Sequence, residues 1–173
     1  MDTASINLIR QVHPKWVPIA LAAYLRAVDA TPAGVHPVVE CVGRSFEESQ
    51  HDYDLGRTIK NPDGVDAEHP MGAIISYARP GHSWHNWFLA LDFHLLINGK
   101  PYWPATAEEA MANKNWMIVV NIFKAVGFNW GGEFPDKFKD PPHLEHKMGQ
   151  TIDALLAKRA ARDFIPGTHF INF

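Results

Sequence analysis

The stretch Phe88-Leu89-Ala90-Leu91-Asp92-Phe93-His94-Leu95-Leu96-Ile97, followed at once by Asn98-Gly99, limits the possible folds more than any other part of the chain. An apolar run closed by a two-residue turn signal predicts a strand over 89–97 that returns as a hairpin through Pro101-Tyr102-Trp103. Asp92 interrupts that run. A carboxylate in an apolar strand is costly unless it is paired, hydrogen-bonded or bound to a metal. His85 lies seven residues before it, and His143, preceded by Asp140-Pro141-Pro142, lies far downstream. Two imidazoles and one carboxylate are ligands of the kind a catalytic zinc takes, with one coordination position left for water. Asp140 would be the base beside them.

Seven is an odd separation, so in one regular strand His85 and Asp92 would point to opposite faces. The chain must therefore bend between them, which predicts His85 in a turn at the mouth of the strand and Asp92 within it. Neither Pro141 nor Pro142 has an amide donor, which rules out a regular helix there and predicts an extended, stiff loop.

Around this centre the chain predicts an α+β domain. Helices are expected over 5–12 and 14–28, with Pro18 tolerated in a first turn. A strand follows over 36–42 and a helix over 47–54. Asn61-Pro62-Asp63-Gly64 opens a loop, weak alternation suggests a strand over 72–77, and Arg79-Pro80-Gly81 is a turn. Thr106 to Glu109 has the form of a capping box. Trp116, Val119, Val120, Phe123 and Val126 recur at helical spacing as a core face ending at Gly127. A last helix is expected over 148–162, with an aromatic tail packed back over 166–173. The 173 residues suffice for one domain with a sizeable core, with its body over about 12–146 and the last helix and tail over 147–173.

Composition excludes several classes. A net charge of -3 leaves no electrostatic footprint for nucleic acid. Cys41 is the one cysteine, which excludes an internal disulfide and a thiolate zinc cluster; in Val38-Val39-Glu40-Cys41-Val42 it reads as a small buried strand residue. No apolar stretch approaches a membrane span. The run over 17–25 imitates a signal peptide, but Asp2, Trp16 and Pro18 favour a buried first helix. Asp63, Asp66 and Glu68 could hold calcium, although their spacing follows no known loop.

Ser83-x-His85, Ala90-x-Asp92 and Asp140-x-x-His143, the last preceded by Trp130-Gly131-Gly132, occur in an order that resembles the zinc peptidases that include D-alanyl-D-alanine carboxypeptidases and phage L-alanyl-D-glutamate endopeptidases. Gly43-Arg44-Ser45, Gln50 and Gly56-Arg57-Thr58 fit the same pattern, so the likeness runs from about Val12 to Glu145. The resemblance implies a small antiparallel sheet carrying one zinc ion among helices, the fold that also serves as a zinc module in hedgehog signalling proteins. It implies His85, Asp92 and His143 as ligands and Asp140 as the general base. Arg44 would be the cation facing the developing oxyanion, and Ser83 a substrate contact. Gln50 and Arg57 would be structural, and His82, His94 and His146 bystanders. The implied activity is hydrolysis of stem-peptide bonds in bacterial peptidoglycan, between L-alanine and D-glutamate. The expected protein is a monomer made in the host cytoplasm without a signal peptide and acting on the wall after holin-dependent or similar release.

A D-alanine carboxypeptidase, a non-catalytic zinc module and a His-Asn metal nuclease resting on His85-Asn86 stand as alternatives. Two departures from the family stand out. Phe88 occupies a position where relatives usually have glycine, so it must sit at an ordinary backbone angle or shape the cleft. Glu133-Phe134 replaces a frequent Asp-Trp.

Overall fold

The structure, a computed structural model, describes residues 2–173. In chain order the helices are α1 (Thr3–Ile9), α2 (Val17–Ala30), α3 (Phe46–Asp54), α4 (Ala107–Ala112), α5 (Lys114–Lys124) and α6 (Ile152–Ala160). The strands are β1 (Val35–Cys41), β2 (Ala90–Ile97), β3 (Lys100–Tyr102), β4 (Asn129–Trp130) and β5 (His143–Glu145). They form two compact units, one of residues 2–43 with Phe88–Gly149, the other of Arg44–Trp87 with Gln150–Phe173. The α+β class expected from the sequence is borne out, with a small antiparallel sheet and helices.

The first unit is built on β2. β1 runs antiparallel along one side of it, from Val35 opposite Ile97 to Cys41 opposite Asp92. The other side is shared: β5 pairs with the start of β2 and β3 with its end, while β4 lies outside β5. Asn98 and Gly99 both have positive φ, at 50° and 78°, which is what a two-residue hairpin needs to match strand twist. Leu91, Phe93 and Leu95 point from β2 into a core with Trp16, Tyr24, Trp116 and Phe123 from α2, α5 and the loop before α2. Phe93 stacks on Trp116 at 4.3 Å and Trp16 on Phe128 at 4.9 Å. Each such side chain contributes about 2 to 3 kcal/mol by leaving water. The helical face predicted for 116–126 is the buried face of α5.

In the second unit, Ser45 and Glu48 form a reciprocal capping box that starts α3. The Phe46 ring meets Trp87 edge-on at 5.4 Å, and the Arg159 guanidinium of α6 lies 3.9 Å from its centroid. The tail folds back, with Phe164 bridging to Ile171, which is buried.

Four local expectations need correction. Residues 72–77 form no strand: Ala73 donates its amide to Asp63 O at 2.8 Å, within the loop, and Ile75 and Tyr77 are 52% and 64% exposed. Weak alternation without a buried face does not hold a strand. The last helix starts later than expected, because Met148 and Gly149 turn the chain at φ 51° and 72° and Thr151 caps α6. At α4 the box is half formed: Thr106 accepts from Glu109 N, but the Glu109 carboxylate takes Ala105 N instead. Finally, Asp140 to His143 is a turn closed by a 3.1 Å bond from His143 N to Asp140 O, and it delivers His143 onto β5. Two prolines in succession forbid a helix but permit a tight corner.

Candidate metal centre

Alternation along β2 separates two jobs. Leu91, Phe93 and Leu95 face the core, so Ala90, Asp92 and His94 face the other way. β5 repeats this pattern, with Leu144 in the core and His143 and Glu145 on the opposite face. Antiparallel register sets Asp92 directly opposite His143. Their side chains meet, His143 Nδ1 lying 3.3 Å from Asp92 Oδ1. On its other edge Asp92 is in register with Cys41, just past a register shift in β1. Cys41 is half-buried rather than a buried strand residue, and its thiol donates to Gly43 O at 3.5 Å. The strand's end and the shift bring it out of the core, which no local pattern announces.

Asp140 joins this pair from the turn before β5, and the Trp130-Gly131-Gly132 motif explains how the turn is held. Trp130 Nε1 donates to Pro141 O at 2.7 Å, and Asp140 N donates to Gly131 O at 3.0 Å. A Cβ on Gly131 would lie 2.2 Å from Asp140 O, and one on Gly132 would lie 2.3 Å from the Trp130 ring. Only glycine permits so close an approach of backbone to backbone. Asp92, Asp140 and His143 thus each offer a ligand atom, all within 4.8 Å of one another.

A carboxylate and an imidazole are ligand types that suit a divalent ion of zinc's character, and Asp140 lies within reach of both as a neighbouring acid. Burial works against charge on His143, but the hydrogen bonds to Asp92 and Glu145 and the nearby Asp140 charge outweigh it, pushing its pKa up to about 10. A positive charge is what this cluster calls for, and a cation bound at His143 would replace the proton.

The remaining expected residues belong to the second unit. His85 is buried in a short 3-10 turn, Trp84–Trp87. Its carbonyl accepts from Arg44 N at 3.1 Å, and its amide donates to Ser83 Oγ at 3.3 Å. The Arg44 guanidinium lies 3.2 Å from Asp52, with both side chains partly exposed. Asn86, which the sequence reading weighed only as part of a nuclease motif, is the hub of this region. Its Nδ2 donates to Ser49 Oγ at 2.6 Å, Arg44 O at 3.1 Å and Ser45 O at 3.3 Å, and its Oδ1 accepts from Gly81 N at 3.0 Å. Those bonds engage the whole amide in structure. Gln50 bonds Asp54 at 2.9 Å, and Arg57 donates to Tyr53 O and to Ser76 O while lying over the Tyr53 ring at 4.0 Å.

At Phe88 the first of the two expected alternatives, an ordinary backbone angle, does not hold. The residue has φ +58°, the left-handed conformation glycine favours. Its ring lies over Gly43, where a Cβ would come within 2.2 Å of Cε1. The side chain is accommodated by a glycine on a neighbouring segment.

Two of the expected bystander histidines, His94 and His146, are engaged elsewhere. His94 stacks on Trp103 at 4.7 Å, 3.4 Å from Glu40, and burial lowers its pKa against that charge. His146 meets Phe128 and Trp16 edge-on, and burial likewise lowers its pKa. In the acidic loop, Asp66 accepts from the amides of Glu68 and His69, at 2.9 Å and 2.6 Å. Glu145, buried and 3.2 Å from His143 Nε2, is a residue of the site that the sequence reading missed. The signal was present in the His-x-Glu alternation of a strand, where i and i+2 share a face.

Comparison of sequences bears out the resemblance read from the motif order. Residues 77–146 match the family model described as D-alanyl-D-alanine carboxypeptidase. Over 118 residues the chain is 39% identical to the peptidoglycan L-alanyl-D-glutamate endopeptidase CwlK of Bacillus subtilis (strain 168), covering 67% of this chain and 64% of that protein. Among solved structures, the L-Ala D-Glu endopeptidase ChiX of Serratia marcescens is similar at a TM-score of 0.48 with 20% identity, over 84% of this chain and 88% of that one.

Proposed function

We propose that this chain, whose residues 77–146 carry the D-alanyl-D-alanine carboxypeptidase family's pattern, is a zinc-dependent peptidoglycan peptidase cutting the stem peptide between L-alanine and D-glutamate. The observation that carries the reading is the convergence of Asp92, Asp140 and His143 within the matched segment. His85 is assigned as the third protein ligand on the order of motifs along the chain. When bound, zinc lowers the pKa of a water molecule towards neutrality and polarises the scissile carbonyl.

The chain's own residues supply the rest. Asp140, the exposed carboxylate of the cluster, takes the proton of the attacking water and returns it to the leaving amine. Its backbone is fixed by Gly131 and by the turn to His143, so its place beside the ligand does not depend on a flexible tether. Arg44 is assigned to the developing oxyanion and Ser83 to the substrate peptide. A wall-degrading enzyme of the phage endolysin type, acting as a monomer after release from the cytoplasm, is the setting we assign to it. Among the described residues no helix is long and apolar enough to cross a membrane.

Zinc-loaded protein incubated with purified cell walls should expose new amino groups on D-glutamate. Release of free D-alanine would replace this reading with a carboxypeptidase. Asp140→Ala should retain zinc while hydrolysis falls roughly 10²- to 10⁴-fold. Undiminished hydrolysis by that variant would remove Asp140 from the mechanism.

A further inference from the structure

We infer that Glu145 is a positioning residue for the metal centre: it accepts the Nε2 proton of His143 and so fixes the tautomer that presents the Nδ1 lone pair to the cluster of Asp92 and Asp140. The inference rests on the reading of His143 as a metal ligand and adds to it which nitrogen binds and what holds the ring.

His143 has a carboxylate on each nitrogen. Nδ1 faces Asp92 Oδ1 at 3.3 Å, and Nε2 faces Glu145 Oε2 at 3.2 Å. The Nδ1 side is therefore the one that meets the cluster, and the Nε2 side is occupied by Glu145. A neutral imidazole carries one proton and one lone pair, so a partner that can only accept at Nε2 leaves the lone pair at Nδ1. Ligating histidines are commonly oriented in this way through the nitrogen away from the metal.

The strand makes the arrangement rigid. Glu145 is two residues beyond His143 on β5, so both side chains leave the same face. Across the sheet its neighbours in register are the small Ala90 on β2 and Asn129 on β4. Glu145 is only 4% exposed, and a buried carboxylate must be compensated. Its two oxygens divide the work: Oε2 meets His143, and Oε1 lies 3.4 Å from the Nζ of Lys147, whose side chain is half exposed. A carboxylate serving Lys147 alone would gain more by reaching out to solvent with it. Its burial against the His143 ring is what the orienting role accounts for.

The test uses the full chain and zinc. In zinc-loaded wild-type protein, long-range proton–nitrogen NMR should show His143 protonated at Nε2 and metal-bound at Nδ1; the reverse pattern overturns the proposal. By chelator competition, Glu145→Ala should bind zinc about 10- to 100-fold more weakly than wild type. Glu145→Gln, which keeps shape and an acceptor oxygen, should recover most of that loss. A folded Glu145→Ala with wild-type zinc affinity overturns the proposal, as does a Gln variant as weak as the Ala variant. If Glu145→Ala does not fold, the NMR pattern and the Gln variant decide. His143→Ala separates the two readings. Unchanged zinc affinity in that variant would defeat the ligand assignment itself, whereas lost affinity there with normal affinity in Glu145→Ala would defeat only the role of Glu145.

Discussion

Asp92 and His143 stand opposite each other on paired strands, whereas His85 sits in a 3-10 turn beside Asn86, whose one side-chain amide gathers Arg44, Ser45, Ser49 and Gly81. In the sheet unit, position follows from ladder register, so no one side chain carries it. In the second unit, backbone groups from Arg44, Ser45 and Gly81 all converge on one residue. The difference shows two routes to a fixed side chain. A strand spreads the cost of order over many backbone bonds, and a loop concentrates it in a buried polar hub.

If that contrast is right, the sheet unit should be vulnerable only where backbone meets backbone. Gly131→Ala places a Cβ 2.2 Å from Asp140 O and should be the most damaging change, costing about 3 kcal/mol and displacing the Asp140 turn. Denaturant unfolding and zinc binding of this variant check it, and wild-type values for both would show that the turn does not depend on the close approach. The hub predicts a different outcome. Asn86→Ala removes a 5% exposed amide with four partners and should cost about 2 kcal/mol, with faster hydrogen exchange concentrated over residues 44–49 and at Gly81. Loosening spread evenly over the strands would erase the distinction drawn here.

The smallest effect is at Phe88, where the unit boundary falls. With φ at +58°, Phe88→Gly should be more stable than Phe88→Ala by about 0.5 to 1 kcal/mol, because alanine keeps the left-handed strain without the ring's contact over Gly43. Thermal melts of the pair check this, and a more stable alanine variant would mean an ordinary backbone angle at residue 88.

Much of this was legible in the chain itself. Asn98-Gly99 announced the hairpin, the 3.6-residue period announced the buried face of α5, and an aspartate in an apolar strand announced that something polar must meet it. The matching order of motifs pointed to the family whose model residues 77–146 match. At two places where the structure departs from expectation, the deciding contact lies outside the stretch itself. Residues 72–77 alternate weakly but bond to their own loop, and Phe88 keeps a glycine's angle because Gly43 makes room for its ring.

Residue types and their spacing determined which groups could bind a metal, because period and side-chain chemistry are local properties. Tertiary structure alone decided that Asp92 faces His143 in register, that Gly131 lets the Asp140 turn close, and that Glu145 lies against the far nitrogen of the histidine ring. These are contacts between strands and turns, and pairing register and burial come into being only when the chain has folded.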